Sequence, residues 1–167
     1  MKNFSYTITE GEHAGKTLWS GRYCAVAAFV FCKFPDSGWH VLANKRGPGT
    51  PNYQGYWNCP CGYLEGDETG PQGCMRETYE ETGVNIPEDM FKLVGVATDP
   101  KVDKNVTLRY MVVINYGEMS ISVSNNHSPE EDEVETVSWI ALDKVDTSEW
   151  AFNHNNIIKE LSELLNE

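Results

Sequence analysis

Long hydrophobic runs are absent from this chain of 167 residues. No stretch of about 18 apolar residues exists, which excludes a membrane-spanning helix of ordinary length. Met1 and Lys2 lead into a polar segment, so we expect no secretory signal and a cytoplasmic location. Internal repeats and low-complexity linkers are also lacking. The length therefore predicts one domain over residues 1–167, with the first twenty residues as an edge strand or a dimer element.

Basic residues are scarce, and the cysteines lack a paired pattern. The five cysteines are odd in number and irregularly spaced, which is typical of reduced thiols. Cys59, Cys61 and Cys74 form an incomplete zinc set, because structural zinc sites usually contain paired Cys-x2-Cys spacings. The 13 Lys and Arg stand against 25 Asp and Glu, for a net charge of −12. This imbalance argues against a nucleic-acid partner, whereas a small nucleotide can still bind through a metal ion.

Apolar runs and turn residues predict a mixed α/β architecture. The predicted strands cover residues 23–31, 39–46, 91–98, 106–115 and 135–140. The first two are expected to pair as a hairpin. Two helices are predicted, from about Gly70 to Gly83 and over residues 150–165, where apolar residues, Phe152 included, recur at helical spacing. Strands with helices outside them indicate an α/β sandwich.

One segment carries a pattern of charged residues that points to chemistry. Its glycine, acidic and basic positions are Gly62, Glu68, Arg76, Glu77, Glu80, Glu81 and Gly83. Glu77, Glu80 and Glu81 stand at i, i+3 and i+4, so a helix places the three carboxylates on one face within about 60°. Such like charges repel, and a cation among them relieves the repulsion. Mg²⁺ takes oxygen ligands and favours sites that also hold phosphate.

This spacing resembles the Nudix box, which reads G-x5-E-x7-R-E-U-x-E-E-x-G-U, where U is a bulky aliphatic residue. All its charged and glycine positions match. Thr78 stands at a U position, and Cys61 and Asp67 stand where relatives commonly have glycine. The resemblance implies an α/β/α sandwich with a mixed β-sheet and the box on a helix. Residues 99–113 and 150–158 further resemble the ADP-ribose pyrophosphatase-like branch.

The resemblance implies hydrolysis of a nucleoside diphosphate linked to another group, with Mg²⁺ or alternatively Mn²⁺ as cofactor. It implies metal ligands at Glu77, Glu80 and Glu81, with the backbone carbonyl of Gly62 as a further ligand. The general base stays open between a box glutamate, Glu80 or Glu81, and a glutamate of the acidic stretch at residues 130–135, where Glu133 is our candidate.

The other residues of interest are interpreted either as structural or as candidates for substrate binding. Arg76 cannot ligate a metal, and its fork suits a bidentate hold on Glu68, which we interpret as structural, like Gly83. Arg46, Arg109 and Tyr110 are candidates for binding phosphate or base. Ordinary strand-end or core roles remain open for these three.

The substrate class also stays open at this stage. ADP-ribose-like compounds, nucleoside triphosphates and dinucleotides all fit the implied chemistry, and the branch resemblance favours the first. Two alternatives are a non-catalytic Nudix domain that senses a nucleotide and a pyrophosphohydrolase acting on RNA 5′ ends. The acidic charge counts against the RNA alternative. A homodimer is left open.

Overall fold

The computed structural model describes residues 4–125, 127–128 and 132–166. Two α-helices lie in this part of the chain, α1 (Gly70–Thr82) and α2 (His154–Ser162). The strands are β1 (Phe4–Thr7), β2 (Thr17–Ser20), β3 (Cys24–Phe34), β4 (Gly38–Arg46), β5 (Trp57–Asn58), β6 (Cys61–Tyr63), β7 (Lys92–Ala97), β8 (Val106–Asn115) and β9 (Val134–Ala141). None of the helices in the described ranges combines the length and apolar character that crossing a membrane requires.

A mixed sheet of seven strands forms the centre of these described residues, in the order β5-β4-β3-β8-β7. Strand β6 pairs with β3 and strand β9 pairs with β4. The predicted hairpin of β3 and β4 is confirmed. Strand β3 pairs in parallel with β8, from Cys24 opposite Val106 to Lys33 opposite Asn115. Its nearly continuous apolar sequence agrees with this central position, where both faces are buried.

Alternate residues of β3 supply two separate cores, because successive side chains of a strand point to opposite faces. Val26 and Val30 pack on the side of α1, in a core that contains Cys74. Phe29 packs on the side of α2, in a core that contains Ile157. Helices therefore cover both faces of the sheet, and the predicted α/β/α sandwich is confirmed.

One predicted helix differs from the structure, while the edge strand or dimer element predicted for the first twenty residues stays a prediction. Within the described residues, β1 and β2 pair with each other and not with the main sheet. The single helix expected over residues 150–165 is interrupted, with 3₁₀ turns at Ala151–Asn153 and Glu163–Asn166 on either side of α2. Phe152 and Asn153 adopt left-handed backbone angles, φ 56° and φ 60°, which no α-helix continues through.

Candidate active site

Helix α1 begins and ends where the sequence predicts, because both ends are capped. The Thr69 side chain accepts a hydrogen bond from the backbone N–H of Gln72, and the Gln72 side chain accepts one from the N–H of Thr69. Pro71 occupies the first turn, where a missing N–H costs nothing. Gly83 ends the helix in a left-handed conformation, φ 73°. These caps set which residues of α1 face the sheet.

Arg76 is the centre of an ion-pair network on α1. Its Nε and Nη2 donate to the two carboxylate oxygens of Glu68 over 2.6 and 3.0 Å, which is the fork expected from the sequence. Its Nη1 donates to Glu77 Oε1 over 2.8 Å and to Glu80 Oε2 over 3.1 Å. The hydrogen bonds from Arg76 hold the pKa of Glu68 below its usual value. One guanidinium thus orients three of the four box glutamates.

Glu77 lies almost buried against β6. A side chain at Gly62 would collide with its carboxylate, so glycine is the residue that leaves room for it. Burial raises the pKa of Glu77 to about 7, and the charges of Glu80 and Glu133 act in the same direction. Arg76 opposes this rise. The carboxylate is therefore poised to lose its proton near neutral pH when a cation approaches.

Glu81 is the more deeply buried carboxylate, with 1% of its surface exposed. The backbone N–H of Cys61 donates to its Oε2 over 3.0 Å. Burial raises the pKa of Glu81 well above its usual value, and the charges of Glu77 and Glu133 reinforce the effect. A buried carboxylate of this kind requires a positive partner when it ionises.

Glu133 reaches the same site from the segment that precedes β9. Its backbone oxygen accepts a hydrogen bond from the N–H of Gly47 over 2.7 Å, and its Oε2 accepts one from the Ser128 hydroxyl over 2.6 Å. Its charge raises the pKa values of Glu77 and Glu81. The structure therefore brings Glu133 to the box glutamates. Residues 129–131 of the acidic stretch lie outside the described residues.

The donor set of this site fits a hard divalent cation. Glu77, Glu80 and Glu81 offer carboxylate oxygens, and Gly62 allows the Glu77 carboxylate to pack directly against the backbone of β6. Within residues 4–125, 127–128 and 132–166, no three His, Cys, Asp or Glu side chains already converge on one point in the manner of a formed metal centre. Glu77 and Glu80 instead share Arg76. A bound cation would have to draw these carboxylates from the guanidinium.

Arg46 at the end of β4 and Arg109 in β8 both act electrostatically on His154. The Arg46 side chain donates to Asn52, from Nε to the backbone oxygen over 3.0 Å and from Nη2 to Oδ1 over 3.2 Å. Its charge lowers the pKa of Glu81, so it lies close to that carboxylate. Together with burial, Arg109 and Arg46 lower the pKa of His154 to about 3. Both arginines therefore surround one buried, neutral histidine.

Tyr110 takes a packing role in place of the substrate contact considered from the sequence. It is 7% exposed and lies in the core on the α1 side, on the opposite face of β8 from Arg109. Its hydroxyl lies against Gly70 at the start of α1, where a larger residue would collide with it. Gly70 and Glu81 are separated by about 16 Å along the helix. Tyr110 is thus a core residue beside the start of α1, at the other end of the helix from Glu81.

Comparison with known proteins decides the family. The family model described as "NUDIX domain" matches residues 25–161, which is most of the chain. The chain belongs to the Nudix family. Among curated Nudix relatives, Phosphatase NudJ of Escherichia coli strain K12 is 27% identical over 96 residues, which are 58% of this chain and 58% of the relative. The chain thus spans about three fifths of the length of that relative.

Solved Nudix structures share the fold. The NUDIX domain of Shewanella oneidensis NrtR, complexed with ADP ribose, superposes with a TM-score of 0.73 at 22% identity, over 87% of this chain and 90% of that one. A bifunctional NMN adenylyltransferase/ADP ribose pyrophosphatase from Francisella tularensis, complexed with AMP and a Mn ion, has a TM-score of 0.66 at 23% identity, over 86% and 42%.

Sequence reasoning overlooked several residues of this Nudix site. The backbone N–H of Cys61 binds Glu81, which the side-chain pattern of the box does not reveal. Phe152 counted as a helical core position, yet it lies beside Arg46, with the guanidinium carbon 5.0 Å from the ring centroid. Asn153 is the residue in the sequence that indicates an interruption of the helix, since asparagine tolerates the left-handed conformation that ends a helical pattern.

Proposed function

We propose that this protein is a metal-dependent pyrophosphohydrolase that cleaves a nucleoside diphosphate linked to another group. The observation that carries the proposal is the pair of buried carboxylates of Glu77 and Glu81, to which another part of the chain brings Glu133. Buried carboxylates that repel each other are costly to folding. A function that requires them accounts for their presence.

In this proposal, residues of the box would bind and orient the metal ion. Glu77, Glu80 and Glu81, with the Gly62 carbonyl, would hold Mg²⁺ or Mn²⁺, which when bound supplies neutralisation of the pyrophosphate charge and activation of water. Arg76 keeps the carboxylates oriented through its hydrogen bonds.

Proton transfer and substrate binding fall to residues on other elements. Glu133 would accept the proton of the attacking water at its carboxylate, because its charge acts on Glu77 and Glu81 although it comes from a segment outside the box. Arg46 and Arg109 would supply positive charge to the phosphates of the substrate, which would stabilise the charge that develops on them.

Support for an adenine nucleotide substrate comes from two neighbours of the fold. One was solved with ADP ribose and the other with AMP and a Mn ion. Both are less than 25% identical to this chain. We therefore propose ADP-ribose-like compounds as the first substrate class to test, with nucleoside triphosphates as the second.

A sensing role is the second candidate function, because the full NrtR of Shewanella oneidensis was also solved with a 27mer DNA. That structure matches this chain with a TM-score of 0.66 over 85% of this chain and 61% of that one. The presence of all four box glutamates favours catalysis over sensing alone. The net charge of −12 argues against DNA or RNA ends as direct ligands.

A phosphate-release assay tests the proposed function. ADP-ribose, nucleoside triphosphates and dinucleotides are incubated with Mg²⁺ or Mn²⁺ and a coupled phosphatase. We expect turnover of one class, reduced at least 100-fold in Glu81→Gln and in Glu77→Gln. Glu160→Gln, an exposed carboxamide substitution on α2, is the matched control and should retain activity. Nucleotide binding without turnover by the wild-type protein would favour the sensing role.

A further inference from the structure

Three aromatic side chains form a cluster beside Arg46, which we call the aromatic platform: Tyr53, Tyr56 and Phe152. The ring centroids of Tyr53 and Phe152 are 5.0 Å apart, and those of Tyr53 and Tyr56 are 5.7 Å apart, both in edge-to-face geometry. The tyrosines belong to the loop between β4 and β5, whereas Phe152 directly precedes α2. The platform therefore joins two segments that are far apart in the sequence.

The platform leaves aromatic surface open to solvent. Tyr53 is 46% exposed and Phe152 is 40% exposed, although each ring touches at least two neighbouring side chains. Phe29, which packs on the other side of His154, is completely buried. Rings that only closed the core would be buried in the same way. The exposed ring surface of the platform is thus left uncovered by the residues that the structure describes.

Strained backbone is concentrated around the platform. In the described ranges, the non-glycine residues with positive φ are Tyr53, Asp132, Phe152 and Asn153, at 54°, 58°, 56° and 60°. Asp132 belongs to the same region, since its backbone oxygen accepts a hydrogen bond from Gly49 in the β4–β5 loop. Bulky residues rarely adopt this conformation, and strain of this type is concentrated at ligand sites.

Arg46 connects the platform to the carboxylates. Its guanidinium carbon lies 5.0 Å from the centroid of the Phe152 ring, and its charge also acts on Glu81. A cation thus lies near both the carboxylates and the aromatic rings. A nucleoside diphosphate presents corresponding groups, which are phosphates that bind metal and, beyond the ribose, a planar base.

We propose that the aromatic platform stacks the nucleobase of the substrate, so that Tyr53 and Phe152 set its specificity. The inference rests on the proposed function, since it concerns the same site and extends it to the base. Stacking on aromatic rings tolerates any base but increases with ring area. Purine nucleotides should therefore bind more tightly than pyrimidine nucleotides, and both more tightly than a sugar phosphate without a base.

Calorimetry with three small probes tests the proposal on the intact protein with Mg²⁺ present. AMP, UMP and ribose 5-phosphate share a phosphate and differ in the base. We expect AMP to bind most tightly, and its affinity to fall about 10-fold in Phe152→Leu and in Tyr53→Leu. The affinity of ribose 5-phosphate should not change in these variants. Phe152→Tyr keeps a ring and should restore the affinity for AMP.

Tyr23→Leu is the matched control, because Tyr23 is also exposed and paired with a tyrosine, at 5.3 Å from Tyr63. It should bind AMP like the wild type. The proposal is overturned if ribose 5-phosphate binds the wild type as tightly as AMP, or if neither platform variant weakens AMP binding. If Phe152→Leu does not fold, Tyr53→Leu and the comparison of probes in the wild type still decide.

The same variants separate this proposal from the proposed function. Hydrolysis with an unchanged KM in both platform variants would support the proposed enzymatic function and contradict base stacking on the platform. AMP binding that depends on Phe152, in a protein that cleaves no nucleotide, would support base stacking on the platform and contradict the proposed enzymatic function. A KM that rises in the platform variants while kcat is maintained would support both.

Discussion

At the scale of single residues, Glu77 shows how burial changes a carboxyl group. Its pKa in the folded protein, about 7, lies above the ordinary value of 4.5. The stability that protonated Glu77 contributes is therefore fully present below pH 4.5 and is lost as the pH rises through about 7. Because glutamine cannot ionise, Glu77→Gln should avoid this loss.

We expect ion-free Glu77→Gln protein to match the wild type near pH 4.5. Near pH 8 its free energy of unfolding should exceed that of the wild type by up to about 3 kcal/mol. Urea denaturation in the presence of a chelator at several pH values measures the difference. Exposed Glu160→Gln should give no such trend. A constant difference between Glu77→Gln and wild type across the pH range would contradict the expectation.

Thr78 provides a second prediction at this scale. It stands where the Nudix box usually has a bulky aliphatic residue, and it is completely buried. Among the described residues its hydroxyl has no hydrogen-bond partner. Since a buried, unpaired hydroxyl is destabilising, Thr78→Val should raise the free energy of unfolding by about 1 kcal/mol.

Thermal and urea unfolding of Thr78→Val against the wild type check this expectation, and activity should be retained. Thr147→Val is a suitable comparison, because that exposed hydroxyl donates to the backbone of Lys144. Its replacement should not stabilise the protein. A destabilised Thr78→Val would show that the hydroxyl has a partner in solution.

At the scale of elements, the close contact between β6 and α1 holds Glu77 in place. A side chain at Gly62 would collide with the Glu77 carboxylate, whereas Gly66 has open space around it. Gly62→Ala should therefore displace Glu77, cost about 1–3 kcal/mol of stability and weaken Mn²⁺ binding. Gly66→Ala should leave Mn²⁺ binding unchanged. Titration of Mn²⁺ followed by electron paramagnetic resonance compares the two, and equal affinities would contradict a metal site beside Gly62.

The elements differ in how far the sequence predicts them. Helix α1 is predictable at both ends, because Pro71 and Gly83 have strong positional preferences. Helix α2 is predicted too long, because hydrophobic spacing does not report the left-handed angles of Phe152 and Asn153. Those angles depend on contacts with the β4–β5 loop, which lies far away in the sequence.

The candidate site, like the helices, is predictable only in part from the sequence. The box glutamates and Arg76 lie within one helix and the segment before it, so their spacing alone brings them together. Arg46 ends β4 and Glu133 directly precedes β9, so their approach depends on how β4 pairs with β9. Tyr110 is a candidate from the sequence, whereas the structure places it on the face of β8 that packs in the core on the α1 side. Tertiary pairing, which local sequence does not encode, decides these positions.

At the scale of the whole molecule, folding and ion binding should be linked. The folded chain gathers Glu77, Glu81 and Glu133, whereas the unfolded chain leaves these carboxylates far apart. Mg²⁺ or Mn²⁺ should therefore bind the folded state preferentially and raise the melting temperature. The increase should be larger at pH 8 than at pH 5, because protons compete for Glu77, whose pKa is about 7.

Differential scanning calorimetry with and without Mn²⁺ at the two pH values measures this linkage. Glu81→Gln should show little increase at either pH, and Glu160→Gln should behave like the wild type. An increase that is equal at pH 5 and pH 8, or equal in Glu81→Gln, would show that the ion binds elsewhere.

The parallel pairing of β3 with β8 has a consequence for how the chain is made on the ribosome. Strand β3 emerges early, yet its central partner follows only after the whole of α1 and β7 has been translated. Until then a strand that is apolar on both faces has β4 and β6 on one side and lacks β8 on the other. Nascent chains that stop before Val106 should thus be sensitive to proteases and prone to associate. Synthesis of β8 is the step at which the nascent protein should become protected from proteases and from association.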